Sequence, residues 1–164
     1  MKLAHIVIGR GTQNYTCKSA SASETPVAVG AVAKLYNATC ASVRAPAVVA
    51  DITRLALDYP VPENQAALTL LSGHHEFTTS GQPLFDTKYG NIIAKKNANS
   101  TAPVGSAQGS NGLGSVPWLK LTAVSGSFQE VYRLNTAGGV APKTCEGITG
   151  AFEVGYASEY WFYA

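Results

Sequence analysis

Residues 156–163, Tyr156-Ala157-Ser158-Glu159-Tyr160-Trp161-Phe162-Tyr163, alternate between two sets of side chains with a period of two. In an extended strand, alternate residues of this stretch point to opposite faces. One face carries Tyr156, Ser158, Tyr160 and Phe162, and the other carries the intervening residues. Aromatic residues with this period are typical of a strand that rests on an apolar core. The C-terminal stretch therefore predicts a β-protein.

Shorter strand-like runs precede this stretch and are separated by turns rich in glycine, proline and serine. Gly9-Arg10-Gly11 is predicted to be a turn between a strand at 3–8 and a strand at 13–17. Apolar residues at three- and four-residue intervals predict a helix over 48–59, and Pro62 is predicted at the first turn of another over 63–71. We therefore predict one mostly all-β domain over residues 1–164. It is an antiparallel β-sandwich or β-barrel of about eight short strands, with a small helical insertion near 45–71.

Composition excludes two classes of partner. Charged residues make up 13% of the chain and the net charge is +2, which is too little for a nucleic-acid-binding surface. No apolar stretch reaches the ~18–20 residues that a membrane-spanning helix needs. We therefore predict neither a nucleic-acid partner nor a membrane span, and no cofactor.

Three Asn-x-Ser/Thr acceptors predict glycosylation at Asn14, Asn37 and Asn99, and two of these acceptors run directly into a cysteine. The chain has three cysteines, of which two are expected to form a structural disulfide. A Cys17–Cys40 bridge would close a short loop, and a Cys17–Cys145 bridge would tie the two ends of the chain together; the spacing leaves the pairing open. Acceptors and disulfides are used outside the cytosol, so we predict a secreted protein. We expect the leader of the secreted precursor to be missing from this chain.

Two short stretches are candidates for a functional site, one for dinucleotide binding and one for metal binding. Gly9-Arg10-Gly11-Thr12-Gln13-Asn14 has two glycines of a dinucleotide fingerprint, but Asn14 replaces the third and a strand follows in place of a helix. His74-His75-Glu76 is the one group of neighbouring metal-capable side chains. On a strand, His74 and Glu76 share a face while His75 points the other way, so the first two are the candidate metal ligands.

Several stretches carry a resemblance to a known family in the same order along the chain. They are residues 9–17 (GRGTQNYTC), 73–77 (GHHEF), 116–121 (VPWLKL), 132–142 (YRLNTAGGVAP) and 157–163 (ASEYWFY). With them the chain resembles the DUF3455 family, secreted proteins of unknown function that occur in filamentous fungi and in bacteria. It is most similar to the fungal type. Some members carry a malate dehydrogenase label, which this sequence does not support because it lacks the dinucleotide fingerprint and the βαβ alternation.

The resemblance also implies a set of recurring polar and aromatic positions. These are Gln13, Tyr15, His75, Trp118, Arg133 and Thr136. If they meet in space, they form one polar-aromatic ligand pocket; the alternative is a structural network that closes the barrel.

The sequence marks no catalytic residue. The predicted function is a secreted module, monomeric or dimeric, that binds a small molecule or a glycan at the cell wall or outside the cell. One alternative is a secreted hydrolase or metal-dependent enzyme centred on His74, His75 and Glu76. Another is an effector or structural wall protein without a small-molecule site.

Overall fold

The alternation of residues 156–163 forms the inner and outer faces of the last strand of a closed barrel. The computed structural model describes residues 1–61 and 63–164. Eight antiparallel strands follow one another in chain order, and the eighth hydrogen-bonds to the first. They are β1 (Leu3–Cys17), β2 (Val27–Asn37), β3 (Leu71–Phe77), β4 (Pro83–Thr87), β5 (Gly90–Ser100), β6 (Trp118–Gly126), β7 (Glu130–Gly138) and β8 (Gly150–Tyr163). The predicted mostly β class is confirmed, and the barrel is the architecture adopted.

Side chains fill the barrel interior. Phe85, Tyr160 and Phe162 are buried at its centre, and the ring of Phe85 lies 4.9 Å from that of Tyr160 and 5.6 Å from that of Phe162. Smaller residues of β2 and β5, such as Ala33 and Ala94, face these rings in the same cluster. An eight-stranded barrel has an interior just wide enough for side chains to fill, and alternating large and small residues achieve this here.

The turn predicted at Gly9-Arg10-Gly11 is wrong, because β1 runs through it without a break. The two glycines serve close packing inside the barrel. A Cβ atom on Gly9 would lie 2.6 Å from the ring of Tyr160, and one on Gly11 would lie 1.9 Å from the carbonyl oxygen of Val32. Glycine inside a strand often marks a position where other atoms of the protein approach the backbone closely, and Gly9 and Gly11 are two such positions.

Three short helices lie between β2 and β3, where the helical insertion was predicted. They are α1 (Thr39–Arg44), α2 (Pro46–Leu55) and α3 (Gln65–Leu70). The insertion begins earlier than predicted, since α1 is too short to show a helical period in its sequence. Pro62, predicted at the first turn of a helix, lies outside the described residues. Val49 of α2 forms a buried cluster with Ile6 and Ala38, so the insertion packs on the outer face of the barrel wall.

A disulfide joins Cys17, the last residue of β1, to Cys145 in the segment that precedes β8. The two cysteines are 128 positions apart in sequence but lie on neighbouring parts of the closed barrel. The third cysteine, Cys40, is free and exposed. Of the two pairings that the spacing left open, the structure has the one that links the two ends of the chain.

Candidate functional site

The structure brings five of the six predicted ligand-binding residues together at one end of the barrel. This interior cluster consists of Gln13, Tyr15, His75, Arg133 and Thr136. Arg133 is buried and is close enough to lower the pKa values of both Tyr15 and His75 electrostatically. The dominant effect on Tyr15 is burial, which raises its pKa.

The interior cluster is bonded mainly to backbone carbonyl groups. Arg133 donates from Nε and Nη2 to the carbonyl oxygen of Pro117, at 3.1 and 2.8 Å. Thr136 donates to the carbonyl oxygen of Val116 at 2.7 Å. Tyr15 donates to the carbonyl oxygen of Gly139, also at 2.7 Å. These bonds tie β1 and β7 to the segments that cover this end of the barrel.

His75 is fixed as a neutral side chain within the cluster. Its ring stacks on Phe85 with the ring centres 4.0 Å apart, and its Nδ1 donates to the carbonyl oxygen of Leu84 at 2.8 Å. Burial lowers the pKa of His75 from 6.5 to about 4, with a smaller opposing contribution from the Leu84 hydrogen bond. A neutral, stacked and bonded imidazole serves packing in the core.

Gln13 lies beside Tyr156 in the barrel interior, and its Nε2 is buried. Burial raises the pKa of the Tyr156 hydroxyl, and a hydrogen bond with the side chain of Gln13 opposes this shift. A Cβ atom on Gly139 would lie 3.1 Å from Cγ of Gln13, so the side chain is packed tightly beneath this glycine.

Trp118, the sixth predicted residue, is not part of the cluster. It lines a shallow cleft on the outside of the barrel, together with Lys120, Tyr132 and Leu134. The next residue, Leu119, packs against the core and pairs with Arg133 across β6 and β7. Since neighbours on a strand point to opposite faces, the wall of the barrel separates Trp118 from Arg133.

His74 and Glu76 share the outer face of β3, as the alternation predicts. Nε2 of His74 lies 3.7 Å from Oε1 of Glu76, and both side chains are about half exposed. Among the described residues, no group of three His, Cys, Asp or Glu side chains is placed to hold a metal ion. The pair thus has the geometry of a surface contact and lacks a third ligand.

The three predicted glycosylation sites differ in their surroundings. Asn99 is exposed on β5. Asn14 is half-buried on β1 and accepts a hydrogen bond from Thr12. Asn37 ends β2; its Oδ1 accepts from the backbone N–H of Thr39, and its Nδ2 lies 3.4 Å from the hydroxyl of Tyr89. Glycosylation at each stays a prediction.

A cavity of about 510 Å³ lies between the helical insertion and the outer face of β1 and β2. We call it the insertion cavity. Its lining comprises Ile8, Arg10, Tyr36, Asn37, Ala38, Ala41, Val49, Ile52, Leu55, Ala56, Tyr59, Pro60, Ala67 and Leu70. Among the described lining residues, Arg10 carries the only charge. No direct signal in the sequence predicted this site, because the insertion and β1 meet only in the folded protein.

Large apolar side chains of the insertion remain exposed around this cavity. Ile52, Leu55 and Leu70 are 49%, 38% and 51% exposed. The apolar period that predicts a helix over 48–59 was an indirect signal of this site. Only part of that apolar face packs on the barrel, through Val49, while Ile52 and Leu55 stay exposed. Contiguous apolar surface of this kind marks a site for a ligand or a partner.

Arg10 stands at the barrel side of the insertion cavity. Its Nε donates to the carbonyl oxygen of Ala56 at 3.1 Å, and its Nη1 donates to that of Gly11 at 3.3 Å. Burial lowers the pKa of Arg10, and the nearby phenol of Tyr36 opposes this shift. The pKa of Tyr36 is raised, first by burial and then by Glu63.

Comparison with known proteins gives a family match. A family model described as "Protein of unknown function (DUF3455)" matches residues 1–164. No curated protein and no solved structure matches the chain. Within the described part of the chain, every helix is too short or too polar to cross a membrane.

Proposed function

Since the chain belongs to the DUF3455 family, whose function is unknown, we propose from its geometry that it is a secreted protein binding one small, mostly apolar molecule in the insertion cavity. The observation that carries the proposal is the cavity itself. Its volume of about 510 Å³ falls within the range of small-molecule sites, and its walls are almost entirely apolar or aromatic.

The exposed side chains around the cavity support a ligand there. Ile52, Leu55 and Leu70 come from two helices and still converge on one space. A molecule seated between the insertion and β1 would cover all three, and each square ångström of apolar surface removed from water contributes about 25 cal/mol. The cavity is closed on one side by the barrel and on the other by the helices, which favours a small molecule over a macromolecule.

The proposal gives the interior cluster a structural role. The side chains of Arg133, Thr136 and Tyr15 donate hydrogen bonds to backbone carbonyl groups, as expected of a network that closes the barrel. The enzyme alternative centred on His74, His75 and Glu76 receives no comparable support, since the barrel wall separates His75 from the other two.

Secretion is part of the proposal. The disulfide between Cys17 and Cys145 supports it, because such bonds persist in oxidising compartments. The acceptors at Asn14, Asn37 and Asn99 point the same way.

Binding is tested with N-phenyl-1-naphthylamine, a neutral apolar dye that fluoresces in apolar sites. Ala41 lines the cavity from α1, and Val43 on the same helix is exposed away from it. We expect saturable binding by the unmodified protein, a loss of about tenfold or more in affinity for Ala41→Trp, and little change for the matched control Val43→Trp.

Two results would overturn the proposal. One is the absence of saturable dye binding, which leaves the effector or structural wall protein as the better description. The other is equal binding by Ala41→Trp and Val43→Trp, both checked for an unchanged melting temperature.

A further inference from the structure

The guanidinium of Arg10 is a half-buried cation without an acidic partner. The described residues form three ion pairs, and none of them involves Arg10. It donates hydrogen bonds to the backbone carbonyl oxygens of Ala56 and Gly11. Carbonyl groups satisfy hydrogen bonds but do not neutralise the charge, so the site keeps a net positive charge next to apolar walls.

The strands on either side of Arg10 do not supply the missing charge. On β2 the residue directly opposite is Lys34, another cation, and on β8 it is Ala157. Two acids lie on this wall, and neither forms an ion pair with Arg10. Glu63 is exposed and raises the pKa of Tyr36. Glu159 of β8 is buried opposite Ile8 and accepts hydrogen bonds from Asn135 and Trp161. Two like charges facing each other across a strand pair are unfavourable unless an anion lies near them.

Arg10 also has donors to spare. A guanidinium carries five N–H groups, and two of them are used in the bonds to Ala56 and Gly11. The remaining donors belong to its terminal nitrogens, which is the side that binds a carboxylate in the two-point geometry favoured by arginine.

We propose that the molecule held in the insertion cavity is an amphipathic anion, with an apolar body between the helices and β1 and an acidic headgroup on Arg10. This inference rests on the proposed function and names its ligand class. Medium-chain and aromatic carboxylates have this chemistry. Arg10 then has two roles: it fixes the C-terminal end of α2 to the barrel and anchors the headgroup.

A matched pair of dyes tests the headgroup separately from the cavity. 1-Anilinonaphthalene-8-sulfonate is N-phenyl-1-naphthylamine with an added sulfonate, so the two dyes differ in the anionic group alone. We expect the unmodified protein to bind the sulfonate dye more tightly than the neutral dye. Arg10→Met should weaken the sulfonate dye about tenfold or more, because a hydrogen bond to a charged group is lost.

The same variant should change neutral-dye affinity less than about threefold, since an uncharged molecule forms no charge-assisted hydrogen bond with the guanidinium. Lys34→Met is the control, because it removes a positive charge on the neighbouring strand outside the cavity. Arg10→Gln keeps donors but lacks the charge, and we expect it to alter the ratio of the two affinities as Arg10→Met does. The result therefore does not depend on the folding of one variant.

The possible failures are distinguishable. If the unmodified protein binds neither dye, the proposed function is wrong. If it binds the neutral dye but the ratio of affinities is the same with and without Arg10, the cavity takes a neutral molecule and the acidic ligand class is wrong. A loss of sulfonate binding in Lys34→Met equal to that in Arg10→Met would also overturn the inference, since any surface cation would then suffice.

Discussion

Acidification should destabilise the barrel through His75. Folding lowers the pKa of this imidazole from 6.5 to about 4, mainly by burial. Between these two values the unfolded chain binds the proton and the folded chain does not, so the free energy of unfolding rises with pH across this window and is lost as pH falls through it. The difference corresponds to about 3 kcal/mol at 1.36 kcal/mol per pH unit. This is a large part of the total stability of a typical domain, about 5–15 kcal/mol.

Urea unfolding at pH 7 and pH 4 measures the effect. The unmodified protein should lose about 3 kcal/mol more than His75→Gln over this interval, because every other ionisable group is common to both proteins and its contribution cancels in the comparison. His74→Gln removes the exposed neighbouring histidine and should behave like the unmodified protein. NMR titration of the His75 ring gives the same quantity without a variant. An ordinary pKa near 6.5, or equal acid sensitivity in His75→Gln and His74→Gln, would refute the reasoning.

Two further predictions concern how the barrel is held together. Replacing Cys17 and Cys145 with alanine removes a link across 128 positions, and urea unfolding should show a loss of about 4–5 kcal/mol; an unchanged midpoint would contradict the role of the disulfide. Gly11→Ala puts a Cβ atom 1.9 Å from a backbone oxygen that cannot move aside, so the loss should be at least about 2 kcal/mol. The control Gly114→Ala, with no atom within 4 Å of the new Cβ, should stay within about 0.5 kcal/mol, and similar losses in both would refute the packing argument.

The class of the fold was readable because it depends on local patterns. The alternation over residues 156–163 and the apolar period near 48–59 predicted β8 and α2 without any knowledge of their neighbours. The error at Gly9 and Gly11 had a non-local cause: the reason for each glycine is an atom far away in sequence, on Tyr160 or Val32. The choice between a sandwich and a barrel was also non-local, since it depends on whether β1 pairs with β8.

The candidate site was less predictable than the fold. Resemblance brought together residues of the barrel interior, and alternation correctly set His75 apart from His74. The insertion cavity stayed hidden, because Arg10 and Leu70 are distant in sequence and meet only once the helices pack on the outer wall. Two indirect clues were present: the apolar period near 48–59, and Arg10, a charged residue within an otherwise glycine-rich and apolar stretch.

The pairing of β1 with β8 determines when the protein can fold. These strands lie at opposite ends of the sequence, and the backbone groups of Lys2 and Ala164 bond to each other in both directions. During synthesis one edge of β1 therefore has no pairing partner until β8 has left the ribosome. Tyr160 and Phe162, which fill the core, arrive with that strand. A shortened chain that lacks β8 would be an open sheet with two unpaired edges, prone to aggregation. The chain with all eight strands should fold slowly for its size, because its main contacts are so distant in sequence.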